Sequence, residues 1–220
     1  MWSLSPSPER FTVLPYGDAA FLVELPDLAA VIAYYRGILG PGASGSPQPF
    51  PAGIVDVVPA ARTVLVTFEP EVMPPSDVLA WLSAVTPDAS PATSGCEVEI
   101  DVAYGGADLA ATARLLGISE ADVVRCHSGS RWTAAFAGFA PGFVYLATDH
   151  DRLHVPRRAT PRTAVPAGSV GLAGEFSGIY PRSSPGGWQL IGTTAAVLWD
   201  SARPEPALIR PGDTVRFREA

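Results

Sequence analysis

The 220-residue sequence contains no lysine, so all fifteen basic residues are arginine. A phosphate-binding P-loop, a lysine Schiff base and a biotinyl-lysine carrier each need a primary amine, and this chain cannot supply one. Cysteine is nearly as scarce. Cys96 and Cys126 are too few for a disulfide framework in a chain of this length and lack the paired spacing of a zinc site, so both are expected to be reduced and buried. No apolar run reaches the roughly 18 residues of a membrane span. Residues 1–10 also lack the basic and apolar segments of a secretion signal. A soluble, cytoplasmic protein with no membrane partner is the expectation. A His-Glu-x-x-His pair, a nucleophile elbow and an aspartate-rich calcium loop are missing too. No metal site is therefore expected.

What remains is ample for a packed core: 47% of residues are hydrophobic and 17% charged. The net charge of −7 hides an asymmetry. Residues 1–95 carry three arginines against nine acids, residues 96–220 carry twelve against thirteen, and within 152–182 there are five arginines and one acid. Nucleic acid needs a wide basic surface, which an acidic protein with one local arginine cluster does not offer. The pattern points to a small anionic ligand or a partner surface.

The patterning divides the chain into an α+β unit over residues 1–95 and a β-rich unit over 96–220. In the first, Phe11–Leu14, Ala19–Leu25 and Thr63–Phe68 read as strands. Leu28, Val31, Ile32, Tyr35 and Ile38 recur at helical spacing before Gly40, and a second helix is predicted from Ser76, as N-cap, to about Val85. The segments Gly40–Gly53 and Thr86–Gly95, rich in Gly, Ser and Pro, read as a loop and an interdomain linker. Gly40 to Gly45 spells the dinucleotide fingerprint but follows a helix and does not open one, so it is not counted as a nucleotide site. The second unit opens with a strand at Cys96–Val102 and helices at Asp108–Leu116 and Ser119–Cys126, each with a capping residue in front. From Trp132 to Phe217 short apolar runs are broken by Gly and Pro, the composition of an irregular barrel or sandwich.

Candidate functional residues gather between His127 and Thr194. Arg157, Arg158 and Arg162 are bracketed by Pro156 and Pro161, which fix φ locally and lower the entropy lost when guanidinium groups are held in place. Such groups bind carboxylate or phosphate through paired hydrogen bonds. The alternative is a loop whose arginines pair with acids of the first half or face water. His127 closes a predicted helix, where it could serve as an acid or base or, protonated, favour the helix terminus. His150 and His154 read as surface residues, and Phe139, Phe143 and Tyr145 as core. Tyr180, Trp188 and Gln189 flank the turn Pro185-Gly-Gly187, either as core or beside a ligand.

Taken together, Pro15-Tyr-Gly-Asp18, Gly53-Ile-Val-Asp-Val-Val-Pro59, Ala103-Tyr-Gly-Gly106 with Asp108-Leu109, Gly138-Phe-Ala-Pro-Gly-Phe143, Val165-Pro-Ala-Gly168 and Ser184-Pro-Gly-Gly-Trp-Gln-Leu-Ile-Gly-Thr193 resemble one family. It contains the B subunit of 5-oxoprolinase, the sporulation-kinase inhibitor KipI and allophanate hydrolase subunit 1. The resemblance implies a ferredoxin-like amino-terminal domain followed by a cyclophilin-like β-barrel domain. It also implies ATP-dependent opening of 5-oxo-L-proline to L-glutamate, with ATP and Mg acting at the level of a complex with the A and C subunits of 5-oxoprolinase and a site shared with the second of these. On that reading His127 and Arg158 are catalytic, and Arg157, Arg162, Tyr180 and Gln189 bind substrate. Where the family reads Gly-Gly-Gln-Thr-Gly, this chain has Gly174-Glu-Phe-Ser-Gly178, so Phe176 cannot make glutamine's hydrogen bonds. Inhibition of a sensor histidine kinase and a part in urea or allophanate metabolism are the alternatives the resemblance leaves open.

Overall fold

Alternating burial of Val64, Val66 and Phe68 along one strand sets the pattern for the first half of the chain. The structure is a computed structural model that describes residues 11–40, 49–90 and 95–220. The chain divides into two units, Met1–Pro91 and Ala92–Ala220. In the first, β1 (Thr12–Pro15), β2 (Ala20–Glu24), β3 (Ile54–Pro59) and β4 (Thr63–Phe68) form an antiparallel sheet in the order β1-β2-β4-β3. Helices α1 (Leu28–Leu39) and α2 (Pro75–Ala84) complete it. Because β2 and β3 both run antiparallel to β4, they are parallel to each other and joined through α1, the split βαβ of a ferredoxin-like sheet. The edge next to β2 is filled from the amino-terminal side by β1.

Local chemistry explains most of these boundaries. Asp27 caps α1 by accepting from the Ala30 amide at 2.8 Å, and Gly40 ends it at φ 63°, its N–H donating to the Arg36 carbonyl. Ser76 is not the cap of α2. Pro74 occupies that position without a side-chain cap bond, and Ser76 lies in the first turn, donating to Asp77. The Ile54–Pro59 segment is a strand that its proline and bulge had obscured. Most of the predicted loop at Gly40–Gly53 and part of the linker at Thr86–Gly95 fall on residues 41–48 and 91–94, which lie outside the described residues.

The second unit contains β5 (Glu97–Tyr104), α3 (Leu109–Leu116), α4 (Glu120–Gly129), β6 (Trp132–Ala137), β7 (Val144–Ala147), β8 (Arg162–Val165), β9 (Ser169–Ala173), β10 (Phe176–Ile179), β11 (Ser184–Gly186), β12 (Gln189–Thr193) and β13 (Thr214–Glu219). Seven of these strands close a barrel in the order β10-β7-β6-β13-β5-β12-β9, while β8 and β11 pair as a separate ribbon. The fold is therefore α+β, with a cyclophilin-like barrel. Ile100, Val102, Trp132, Leu146, Leu172, Ile191 and Phe217 fill the interior, and Leu109, Ala113, Val123 and Val124 of α3 and α4 join the same core. A capping box between Ser119 and Asp122 starts α4.

Three expectations need correction here. Cys96 is exposed and Cys126 half-buried, so neither is a core residue. Phe139 is exposed rather than packed inside the barrel. His150 is half-buried, its Nε2 2.7 Å from the Ser130 hydroxyl, whereas His154 is exposed as expected. No described helix is long and apolar enough to cross a membrane.

Candidate functional site

Two of the three predicted arginines converge. Arg158 Nη1 donates to Asp108 Oδ1 at 2.7 Å, and Arg162 Nη2 donates to the same oxygen at 2.8 Å. Asp108 Oδ2 accepts from the Leu190 amide at 2.8 Å, so both oxygens are engaged and the residue is only 3% exposed. Asp108 directly precedes α3 but makes no side-chain cap bond, because its carboxylate is turned onto the arginines. Burial works to raise its pKa. The hydrogen bonds from Arg162 and the Leu190 amide, with the charges of both guanidiniums, outweigh that and hold the carboxyl below the ordinary range.

The ribbon places the arginines. Arg162 of β8 lies opposite Gly186 of β11, and the Arg158 amide donates to the Gly187 carbonyl at 2.8 Å. Gly186 admits no side chain, since a Cβ there would run into the Tyr180 hydroxyl. Gln189 Nε2 donates to the Pro156 carbonyl at 3.0 Å, which braces the arginine loop from behind. Of the five buried side-chain polar atoms that lack a protein partner among the described residues, three are Arg158 Nε, Arg162 Nη1 and Ser184 Oγ. All three belong to this ribbon and its approach. Buried donors without a protein partner are rare in folded proteins, and each of these calls for a water or ligand atom beside it.

Arg157 does not join the pair. It is exposed, pairs with no carboxylate among the described residues, and its charge acts on the hydroxyls of Tyr145 and Tyr180. Tyr180 is buried, and desolvation raises its pKa, so its hydroxyl stays protonated at neutral pH. Around it Phe143, Tyr145 and Trp188 pack edge to face, with ring centroids 5.2 to 5.6 Å apart. Phe176 closes the same cluster at 5.6 Å from Phe136 and 5.5 Å from Tyr145. The residue that replaces the family's glutamine thus serves packing. Phe139 stands out from the cluster at φ 69°, the one positive φ of a non-glycine residue among those described.

His127 lies apart from the arginines in function. It is fully buried, with Nδ1 2.7 Å from the Tyr104 hydroxyl and Nε2 2.8 Å from the Ser177 hydroxyl, and it stacks on Phe217 at 4.3 Å. Burial lowers its pKa to about 3, so the imidazole is neutral. This corrects both sequence expectations for His127: neither ring nitrogen is left for a substrate, and the ring carries no positive charge for the helix terminus. Asp108 is the residue that sequence reasoning missed. Its position before a helix suggested a cap, although the Asp108-Leu109 pair already belonged to the family pattern.

Among the described residues no three His, Cys, Asp or Glu side chains gather to hold a metal ion by themselves. What the arrangement can do is bind a compact anion beside the arginine pair.

Comparison with known proteins supports a family assignment. The carboxyltransferase domain, subdomain C and D, matches residues 11–209. The 5-oxoprolinase B subunit of Escherichia coli O157:H7 is 55% identical over 123 residues, 54% of this chain and 56% of that protein. The match thus spans little more than half the length of that relative. The 5-oxoprolinase B subunit of Bacillus subtilis (strain 168) is 33% identical over an alignment of 226 residues, which covers 94% of this chain and 92% of the relative. Urea amidolyase of K. lactis superposes with a TM-score of 0.74 over 96% of this chain and 15% of its own length, at 19% identity, a likeness of fold alone. With a family match over most of its length and a relative aligned nearly end to end, the chain belongs to the carboxyltransferase-domain family, subdomains C and D.

Proposed function

We propose that this chain is the B subunit of an ATP-dependent 5-oxoprolinase, which with the A and C subunits hydrolyses 5-oxo-L-proline to L-glutamate in the cytoplasm. The observation that carries the reading is the arginine pair: two guanidiniums fixed on one buried carboxylate, each keeping a donor without a partner among the described residues. The substrate is a neutral lactam with one carboxylate, an acceptor of the right size and charge for such a pair. Arg158 and Arg162 hold that carboxylate, and Arg157 draws anions to the rim. Tyr180 and Gln189 act from behind, Gln189 by fixing the loop that carries Arg158 and Tyr180 by filling the space under Gly186. ATP would supply activation of the lactam carbonyl at the level of the complex, at a site shared with the C subunit.

Co-expression with the A and C subunits should give ATP-dependent release of glutamate from 5-oxo-L-proline. Arg158→Ala should lower kcat/KM in that assembly by about 100-fold while leaving the circular dichroism spectrum unchanged. Undiminished turnover by the variant would remove the arginine assignment, and an intact assembly that releases no glutamate would remove the function.

A further inference from the structure

We infer that Asp108 is a specificity-determining residue: by neutralising one of the two guanidiniums it tunes the pair to select a singly charged carboxylate over a doubly charged phosphate. The inference rests on the proposed substrate site and deepens it. Its basis is the charge inventory of the cluster. The ribbon sets Arg158 and Arg162 near one another, and their like charges meet on the shared oxygen Oδ1 of Asp108. Asp108 is ionised, because two guanidiniums and the Leu190 amide all stabilise its anionic form. Two positive charges and one negative leave a single positive charge facing the ligand. Arg157 is exposed, so solvent screens its contribution.

Charge selection follows from how the two opposing energies scale. Attraction to a fixed site grows in proportion to the ligand's charge, whereas the cost of removing an ion from water grows with its square. A site with one net positive charge therefore compensates a monoanion better than a dianion. With Asp108 neutral, the site would carry two positive charges and the balance would move towards phosphate. The geometry adds a second element, since the carboxylate uses Oδ2 on the Leu190 amide and offers only Oδ1 to both arginines. Each guanidinium is consequently left with a free N–H, Arg158 Nε and Arg162 Nη1, in place of a closed bidentate pair with Asp108.

The test titrates 5-oxo-L-proline and inorganic phosphate, at a pH where phosphate is a dianion, onto the assembled enzyme without ATP and onto this chain alone. The wild type should bind 5-oxo-L-proline about tenfold more tightly than phosphate, and Asp108→Asn should move that ratio by about tenfold towards phosphate. A purely structural role would weaken both ligands together and leave the ratio where it was, which would overturn the inference. Should Asp108→Asn fail to fold, two measurements still decide. A wild-type preference for phosphate overturns the inference, as does unaltered 5-oxo-L-proline binding by Arg162→Gln. Selective binding without turnover in the assembly would overturn the proposed function alone, whereas turnover with an unshifted ratio in Asp108→Asn would overturn the charge selection alone.

Discussion

The barrel unit holds two buried polar clusters that began as equals in the sequence and ended as opposites in the fold. Around His127 every ring nitrogen has a partner, every member is neutral, and aromatic rings seal it from water. Around Asp108 the members are charged, the arginines reach solvent at 34% and 23% exposure, and two donors have no acceptor among the described residues. A satisfied, sealed network specifies a core, and a charged one that keeps unsatisfied donors has bonds left to make. Burial alone does not mark a site; the accounting of donors and acceptors does.

The largest effect should separate the clusters by stability. His127→Ala removes a stacked ring, strands the Tyr104 hydroxyl and leaves Ser177 only its bond to the Gly171 carbonyl, and should cost about 4 kcal/mol in urea unfolding. Arg158→Ala, whose side chain is partly exposed and whose partner keeps Arg162, should cost about 1 kcal/mol. Equal losses would erase the distinction.

A smaller effect should appear with pH. The unfolded chain protonates His127 near its ordinary value of 6.5, whereas the folded protein resists until about pH 3. The stability this neutral ring contributes is thus fully present above pH 6.5 and is lost as pH falls through that window, at about 1.4 kcal/mol per unit. Between pH 7 and pH 5 the wild type should lose about 2 kcal/mol that His127→Gln does not lose. Identical pH slopes for the two proteins would show that the ring is already charged in the fold.

The smallest effect concerns the exposed edge of the aromatic cluster. Phe139 holds a left-handed backbone that asparagine adopts at lower cost, and its ring is mostly in water. Phe139→Asn should therefore change stability by no more than about 0.5 kcal/mol. A larger loss would make the ring part of the packed cluster instead of its open rim.

Much of the fold was legible because its signals are local. The helical spacing from Leu28 to Ile38 and the capping residue before α4 produced helices where they were predicted, and the strand-like run Thr63–Phe68 produced β4. Misreadings came where one local signal had two meanings. Asp108 has the chemistry of a helix cap, yet its oxygens are claimed by residues 50 and 54 positions away and by the Leu190 amide. Phe139 has the chemistry of a core residue, but it sits at φ 69° in a turn closed by bonds from the Gly138 amide to the Phe143 carbonyl and from the Phe143 amide to the Ala140 carbonyl, and its ring is exposed.

By itself the sequence determined that no amine chemistry is available to this chain, that arginine is concentrated in one proline-stiffened loop, and that a ferredoxin-like unit precedes a barrel. The first two follow from composition and short-range patterning, which need no knowledge of distant contacts; the ferredoxin-like and barrel folds were implied by the family resemblance, with patterning alone giving an α+β unit before a β-rich one. Only the tertiary structure decided which arginines meet, that one carboxylate holds them, and that the histidine is a neutral part of the core. Each of those outcomes depends on burial and on partners far along the chain, and both come into being only when the barrel closes.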